Sequence, residues 1–200
     1  MEFEFDNSGI KLNKIISPVD EFAIDFLEIL NGLKIKHVFI SGYVVLLFGR
    51  PRLTEDVDIF LEDLEESKLK ALYETLLAKN YWIINAGSFD IAKKLYEEKI
   101  AWRAAKNDTI SPNMEIKRPK SNLDLICLNH PTKVILNDKH TINISPMELQ
   151  IPFKLHLGSR KDIEDARYLY GLFKDKLDEK VMDSFAKELK VAGKMVELVH

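Results

Sequence analysis

Two aspartates flank a single valine in an otherwise apolar segment, and this pattern limits what the chain can fold into more than any other feature. Polar and apolar residues alternate in Asp56-Val57-Asp58-Ile59-Phe60, which is typical of a β-strand with one face against a core. Side chains two positions apart on a strand share a face, so Asp56 and Asp58 are predicted to project together. Neighbouring carboxylates repel each other unless solvent or a cation neutralises them. A divalent cation with oxygen ligands is the natural partner for such a pair. A solvated strand edge or turn is the alternative explanation.

A turn that suits a phosphate group precedes this strand. Residues 36–40 predict a short strand, which Ser41-Gly42 interrupts before a buried helix that ends at Gly49. Where a strand leads into a helix, backbone N–H groups and the positive end of the helix dipole can face an anion, and glycine allows close approach. Ser41 and Gly42 are therefore candidate phosphate contacts, although a simple strand-to-helix turn would explain the same residues.

The order and spacing of these segments resemble one enzyme superfamily. After Ser41-Gly42 come Gly49-Arg50-Pro51-Arg52-Leu53-Thr54 and then the aspartate pair. This order is similar to the signature of the DNA polymerase beta-like nucleotidyltransferases, and the Gly-x-Pro-Arg-x-Thr version resembles their AbiEii-type abortive-infection toxin branch. The chain departs from the signature at Ser41, which stands where the usual first glycine would be.

The resemblance implies a cofactor, a substrate and several contacts. Mg²⁺ or Mn²⁺ would be held at the carboxylates, and a nucleoside triphosphate would be the substrate. Arg52 and Thr54 are implied as nucleotide contacts, with a solvated loop as the alternative for Arg50 and Arg52.

A third carboxylate is implied by the same resemblance, as a general base or a metal ligand on a later strand. Asp124, in Asn122-Leu123-Asp124-Leu125-Ile126, is the favoured candidate, because residues 122–128 read as a strongly apolar and therefore central strand. Glu115, in Met114-Glu115-Ile116, is the competing candidate. The predicted catalytic and metal-binding set is therefore Asp56, Asp58 and Asp124.

The tail carries one further similarity to the same branch. Lys154 and Arg160-Lys161-Asp162-Ile163-Glu164-Asp165 resemble its helical motif of lysine, basic residues and Lys-Asp-x-x-Asp. Lys154 or Lys161 could reach triphosphate oxygens as point charges, and Asp162 is included in the predicted nucleotide site. A lattice of surface salt bridges on a helix is the alternative interpretation.

The sequence predicts an α/β (α+β) fold with two parts. Residues 1–145 mix helices and strands, which predicts a nucleotidyltransferase core of a mixed sheet flanked by helices. From Ser145-Pro146 onward a capping serine and a first-turn proline begin a helical tail, residues 146–200, that packs on this core. Within the first part, residues 17–31 predict a capped helix and 81–84 a strand. Residues 86–119 are hard to assign, with a short helix near 91–96 and strands near 101–103 and 114–116.

Composition narrows the class of protein. The chain has 200 residues and a formal net charge of −3, which is not the charge of a protein that coats nucleic acid. Its single cysteine, Cys127, excludes an intrachain disulfide and is predicted to be buried and inert. The acidic N-terminus lacks the features of a signal peptide, and no apolar run is long enough for a membrane span, so we expect a cytoplasmic protein.

Two functions are consistent with these patterns. The first is an enzyme that moves a nucleoside monophosphate to the hydroxyl of an RNA, protein or small-molecule acceptor, such as a toxin neutralised by an antitoxin partner. The second is a catalytically inactive relative that binds a nucleotide, RNA or protein. Ser41 in place of glycine favours the second, and three intact carboxylates favour the first.

Overall fold

The computed structural model describes residues 2–6, 9–51 and 56–199 of the chain. The strands are β1 (Glu2–Asp6), β2 (Gly9–Asn13), β3 (His37–Ile40), β4 (Asp56–Leu61), β5 (Tyr81–Ile83), β6 (Trp102–Lys106), β7 (Asn113–Lys117), β8 (Thr132–Leu136) and β9 (His140–Ile144). The helices are α1 (Pro18–Gly32), α2 (Ser41–Leu47), α3 (Glu66–Ala78), α4 (Phe89–Glu97), α5 (Asn122–Asn129), α6 (Met147–Leu157), α7 (Arg160–Phe173), α8 (Glu179–Glu188) and α9 (Ala192–Val199), with a 3₁₀ turn at Lys174–Lys176.

All strands of the described part form one mixed sheet, in the order β1-β2-β8-β9-β3-β4-β7-β6-β5. In its centre, β4 runs antiparallel to β3 and parallel to β7, and β6 runs antiparallel to β7. The predicted mixed sheet flanked by helices is confirmed. Strands β1, β2 and β8 were not predicted from the sequence.

Helix α1 begins as its sequence predicts. Ser17 accepts a hydrogen bond from the backbone N–H of Asp20, and the Asp20 carboxylate accepts one from the backbone N–H of Ser17 in return. Asp20 is buried, and it also accepts hydrogen bonds from Lys14 and from the hydroxyl of Tyr43 on α2. This cluster ties the first helix to the short helix that follows the Ser41-Gly42 turn.

The predicted change to helices after Ser145 is also confirmed. Helices α6 to α9 follow one another with no further strand among the described residues. One apolar core includes side chains of the sheet, such as Val38 and Ile59, together with Leu149, Ile151 and Leu155 of α6. Helix α6 of the tail and the sheet thus share one hydrophobic core. No helix in the described ranges combines the length and the apolar character that a membrane crossing requires.

One predicted element is wrong. Residues 122–128 form helix α5, not a strand. Ser121 caps this helix: its side chain accepts from the backbone N–H of Asp124, whose carboxylate accepts in return from the backbone N–H of Ser121. A serine followed three residues later by an acid is a helix-start signal, and here it outweighs the apolar run that suggested a strand.

Candidate active site

Strand β4 presents its two aspartates on one face of the sheet. Val57 and Ile59 are fully buried on the opposite face, whereas Asp56 and Asp58 are partly exposed. The burial pattern along the strand alternates residue by residue, as period-2 side chains require. The prediction that Asp56 and Asp58 share a face is confirmed.

The neighbouring strand β7 brings a third carboxylate to this face. In the parallel pairing of β4 with β7, Glu115 is the register partner of Asp58, and Asn113 is the partner of Asp56. Adjacent strands lie about 4.8 Å apart, so register partners place their side chains side by side. Glu115, the competing candidate in the sequence, is therefore the carboxylate that lies beside the aspartate pair on the sheet.

Asp124 reaches the site from a helix instead. Its carboxylate accepts hydrogen bonds from the backbone N–H groups of Lys120, at 2.8 Å, and Ser121, at 3.0 Å. It lines the same cavity as Asp58, described below. Asp124 therefore shares the lining of this cavity with Asp58 and already serves as a helix cap.

Two basic side chains neutralise the three sheet carboxylates, and one amide side chain donates a hydrogen bond to them. The Lys117 ammonium forms ion pairs with Asp58 and, at 2.9 Å, with Glu115. The Arg103 guanidinium lies 3.5 Å from a carboxylate oxygen of Asp56, which also accepts a 2.6 Å hydrogen bond from the side-chain amide of Asn113. Along β7, the polar residues Asn113, Glu115 and Lys117 alternate with the apolar residues Met114 and Ile116. This alternation is the sequence signal that could have identified the cluster.

The pKa values of the central ion pair show two opposing effects. Burial raises the pKa of Asp58 above its ordinary value, and the nearby Lys117 ammonium opposes this rise without cancelling it. Burial alone would lower the pKa of Lys117, but Asp58 and Glu115 together raise it. Lys117 therefore stays charged, and the Asp58 carboxylate is held in a less favourable environment than water.

The donor set has the chemistry that a hard divalent cation requires. Carboxylate oxygens are the ligands that Mg²⁺ and Mn²⁺ prefer. In their present conformation, however, no three acidic, histidine or cysteine side chains of the described residues are grouped so that they could hold a metal ion. Lys117 and Arg103 lie against the carboxylates instead, and both have flexible stems. The donor chemistry of the three carboxylates fits a divalent cation, and in this arrangement they are paired with these two side chains.

The turn at Ser41 is held from the helical tail. Ser41 has φ = 59°, a left-handed backbone conformation that glycine adopts more readily than serine. The buried side chain of Gln150 donates a 2.9 Å hydrogen bond to the Ser41 carbonyl and accepts one from the Ser41 N–H at 3.3 Å. Gln150 also accepts a hydrogen bond from the hydroxyl of Ser145. Glycine, which stands here in the signature that the sequence resembles, would adopt this φ without strain. Gly42 is buried directly after it.

Two tail residues that the sequence predicts as nucleotide contacts, Lys154 and Asp162, form an ion pair with each other. Lys154 is 1% exposed, and its ammonium lies 2.8 Å from Asp162 and 3.0 Å from Asp165. Asp165 also pairs with Arg50, which is held in this cluster and not in a solvated loop. Burial opposes ionisation of Asp162, but Lys154 and a hydrogen bond from Ser159 outweigh it and lower its pKa. Lys161 is exposed. Arg52 and Thr54 lie outside the described residues.

A cavity of about 400 Å³ opens beside Asp58 of β4, between the sheet and helices α5 and α6. Asp58, Lys117 and Ser41 line it, together with apolar side chains that include Phe60 and Phe153. Cys127 also lines the cavity, and burial raises the pKa of its thiol to about 12, so the predicted inert thiol is consistent with the structure. The volume is in the range of small-molecule sites.

Comparison with known proteins gives one informative similarity. No known protein family matches the chain, and no curated protein matches its sequence. Among solved structures, an antigenic nucleotidyltransferase-like protein from Paracoccidioides brasiliensis is similar to 89% of this chain and 90% of its own, with 17% identity and a TM-score of 0.53. The fold is nucleotidyltransferase-like.

Weaker similarity extends to two structures of ANT(2'')-Ia. The one in complex with adenylyl-2''-tobramycin matches 84% of this chain and 97% of its own, with 11% identity. The solution structure matches 90% and 97%, with 9% identity. Both have a TM-score of 0.49, so they add nothing to the fold similarity above.

Proposed function

We propose that the protein is a metal-dependent nucleotidyltransferase. It transfers a nucleoside monophosphate from a nucleoside triphosphate to an acceptor hydroxyl. One observation carries the proposal: β4 and β7 bring Asp56, Asp58 and Glu115 to one face of the sheet, beside a cavity of small-molecule size. The nucleotidyltransferase-like fold supports it, since the carboxylates occupy the centre of that fold.

The proposed cofactor is Mg²⁺ or Mn²⁺. Asp56, Asp58 and Glu115 would hold it, with Asp124 as the other candidate for the third ligand. The ion would neutralise charge on the triphosphate and on the attacking and leaving oxygens. Lys117 and Arg103 would have to turn away from the carboxylates for this purpose, and their cationic groups would then be available to the phosphates.

The remaining roles follow from the reaction. The acceptor hydroxyl oxygen attacks the α-phosphorus, the bond from that phosphorus to the bridging oxygen of the β-phosphate breaks, and pyrophosphate leaves. The hydroxyl proton passes to the third carboxylate as general base. Ser41 and Gly42 are proposed to contact the far phosphates, with Arg52, Thr54 and Lys161 as further nucleotide contacts.

Part of the predicted nucleotide site acts indirectly in this proposal. Lys154 and Asp162 are bound to each other inside the packing of α6 and α7. We assign them the task of fixing α6, whose Gln150 holds the Ser41 turn. The acceptor can be an RNA, a protein or a small molecule. A toxin role, with an antitoxin partner in the cytoplasm, remains a proposal on the sequence resemblance alone.

Two matched variants identify the third carboxylate. Glu115→Gln and Asp124→Asn each remove one negative charge and keep the side-chain size. Transfer of label from α-labelled triphosphates to total cell extract, in the presence of Mg²⁺, is the measurement. Glu115→Gln should lower transfer on the order of 10²-fold or more, and Asp124→Asn by less than tenfold. The reverse ranking would give the role to Asp124, and full activity of both would remove both from the site.

The Lys117 ion pairs support a second candidate function. If Lys117 and Arg103 neutralise the carboxylates permanently, the protein is an inactive relative that binds a nucleotide, an RNA or a protein. Calorimetry of nucleotide binding separates the two candidates. Metal-dependent transfer requires that Mg²⁺ strengthen triphosphate binding, whereas binding that ignores Mg²⁺ and leads to no transfer would establish the inactive relative.

A further inference from the structure

The cavity beside Asp58 has chemically different ends. β4 and β7 run parallel, so the pairing of Asp58 with Glu115 is followed by that of Phe60 with Lys117. The chain then continues through Arg118 and Lys120, which line the cavity beyond the end of this strand pair. One end of the cavity thus carries Asp58, and the other carries three cations, Lys99, Arg118 and Lys120, with one lining carboxylate, Asp124, which accepts from the backbone N–H of Lys120.

The basic end carries more charge than its surroundings neutralise. Arg118 pairs with Asp63 at 2.9 Å, and Lys99, which follows α4, also lowers the pKa of that exposed carboxyl. Among the described residues, the hydrogen-bond partner of the Lys99 ammonium is the backbone carbonyl of Pro119. Lys120 is exposed and makes no side-chain hydrogen bond or ion pair with the described residues. The whole chain has a formal net charge of −3, so this positive end is a local feature.

Apolar side chains line the space between the two ends. They come from the sheet, from α5 and from α6: Ile40, Phe60, Leu123, Leu149, Phe153 and Leu157. An occupant of this space gains by burying an apolar body, at roughly 25 cal/mol per Å² of apolar surface. Its charged group would lie where Lys99 and Lys120 are.

From this polarity we propose that the cavity is the acceptor site, and that the acceptor is a small amphipathic anion. The inference rests on the proposed transferase function. A hydroxyl at one end of the acceptor lies beside Asp58, an apolar body fills the middle, and a carboxylate or phosphate at the other end meets Lys99 and Lys120. The triphosphate is placed at the other end of the cavity, where Asp58 and Ser41 lie, and its uncharged base offers no counter-charge to Lys99 and Lys120.

A fluorescent anion of the same chemistry tests the site. 8-Anilinonaphthalene-1-sulfonate has an apolar ring system and one sulfonate, and proflavine is a cationic dye of similar size. The sulfonate probe should bind the folded wild-type protein at one site, and proflavine should not. The double variant Lys99→Met/Lys120→Met should weaken binding of the sulfonate probe roughly tenfold, because two charge-assisted contacts are lost.

The matched control is Lys139→Met/Lys187→Met, which removes the same charge from two exposed lysines outside the cavity lining. It should bind the probe as the wild type does. Equal weakening by both double variants would overturn the inference, and so would preferential binding of proflavine. Binding of ATP with Mg²⁺ that weakens as much as binding of the probe in Lys99→Met/Lys120→Met would assign the basic end to the nucleotide and would also overturn it.

The transfer assay separates this inference from the proposed function. If labelled triphosphate gives no transfer while the probe results hold, the proposed reaction fails and the anion site is supported. If transfer occurs and the Lys99/Lys120 variant binds the probe unchanged, only the acceptor inference fails.

Discussion

At the scale of a single residue, the backbone conformation of Ser41 predicts how a substitution changes the stability of the protein. Its φ of 59° is costly for a residue with a Cβ atom, by roughly 1–2 kcal/mol, and free for glycine. Glycine relieves this strain, but it also gains entropy in the unfolded chain, which offsets part of the benefit. Ser41→Gly should therefore raise the free energy of unfolding by up to about 1 kcal/mol. Urea denaturation measures this change. Ser41→Ala is the control, because it keeps the strain, and a Ser41→Gly variant less stable than Ser41→Ala would contradict the assignment.

Asp58 is expected to destabilise the metal-free protein at neutral pH. Burial raises its pKa in the folded state above the ordinary value of 3.8, against the opposing effect of Lys117. A carboxyl with a raised folded-state pKa binds its proton more tightly when folded, so stability falls as the pH rises from 3.8 through the raised pKa. Asp58→Asn, which cannot ionise, should escape this loss.

Thermal melting without divalent ions measures this effect. The Tm difference between Asp58→Asn and the wild type should become more favourable to the variant from acid to neutral pH. Transfer by the variant should fall on the order of 10²-fold or more, because a group at the reacting phosphate is lost. A pH-independent difference would contradict the raised pKa of the partly buried Asp58, and a variant with full activity would contradict its proposed catalytic role.

At the scale of elements, the contact of α6 with α7 depends on a buried ion cluster. Asp165 is fully buried and pairs with both Lys154 and Arg50. Asp165→Asn leaves these two cations with fewer counter-charges, so the free energy of unfolding should fall by about 3 kcal/mol. Arg160→Gln is the control, because it removes an exposed pair with Glu164 and should cost about 0.5 kcal/mol or less. Equal losses in chemical denaturation would refute the structural role of Asp165.

The elements also show what a sequence can and cannot predict here. Strand β4 and helix α1 were predictable because their alternation and capping are local signals. The prediction of a strand at residues 122–128 is wrong because an apolar run fits both a strand and a buried helix, and the Ser121-x-x-Asp124 pattern is the local signal for the helix. The position of Glu115 is not predictable from its own segment, because only the register of β4 with β7 places it beside Asp58. Register between distant segments leaves no mark in either one alone.

At the scale of the whole molecule, the chain has two parts, residues 1–145 and 146–200. We predict that the first part does not fold stably without the second. Leu149, Ile151 and Leu155 of α6 belong to the same core as the sheet. A fragment of residues 1–145 should therefore lack a cooperative unfolding transition, whereas the full chain should show one in which circular dichroism and tryptophan fluorescence coincide. A fragment that unfolds cooperatively with most of the full chain's stability would establish an independent first domain.

The contact of Gln150 with Ser41 has a consequence for biosynthesis. These two residues are 109 positions apart, and a ribosome makes the Ser41 turn long before Gln150 leaves the exit tunnel. Until then the nascent chain carries its aspartates and its strained turn without the helix that holds them. Premature termination before α6 would thus release a polypeptide in which the Ser41 turn lacks its side-chain partner. The face of the sheet that carries the aspartates is completed late in translation, once α6 has packed on it.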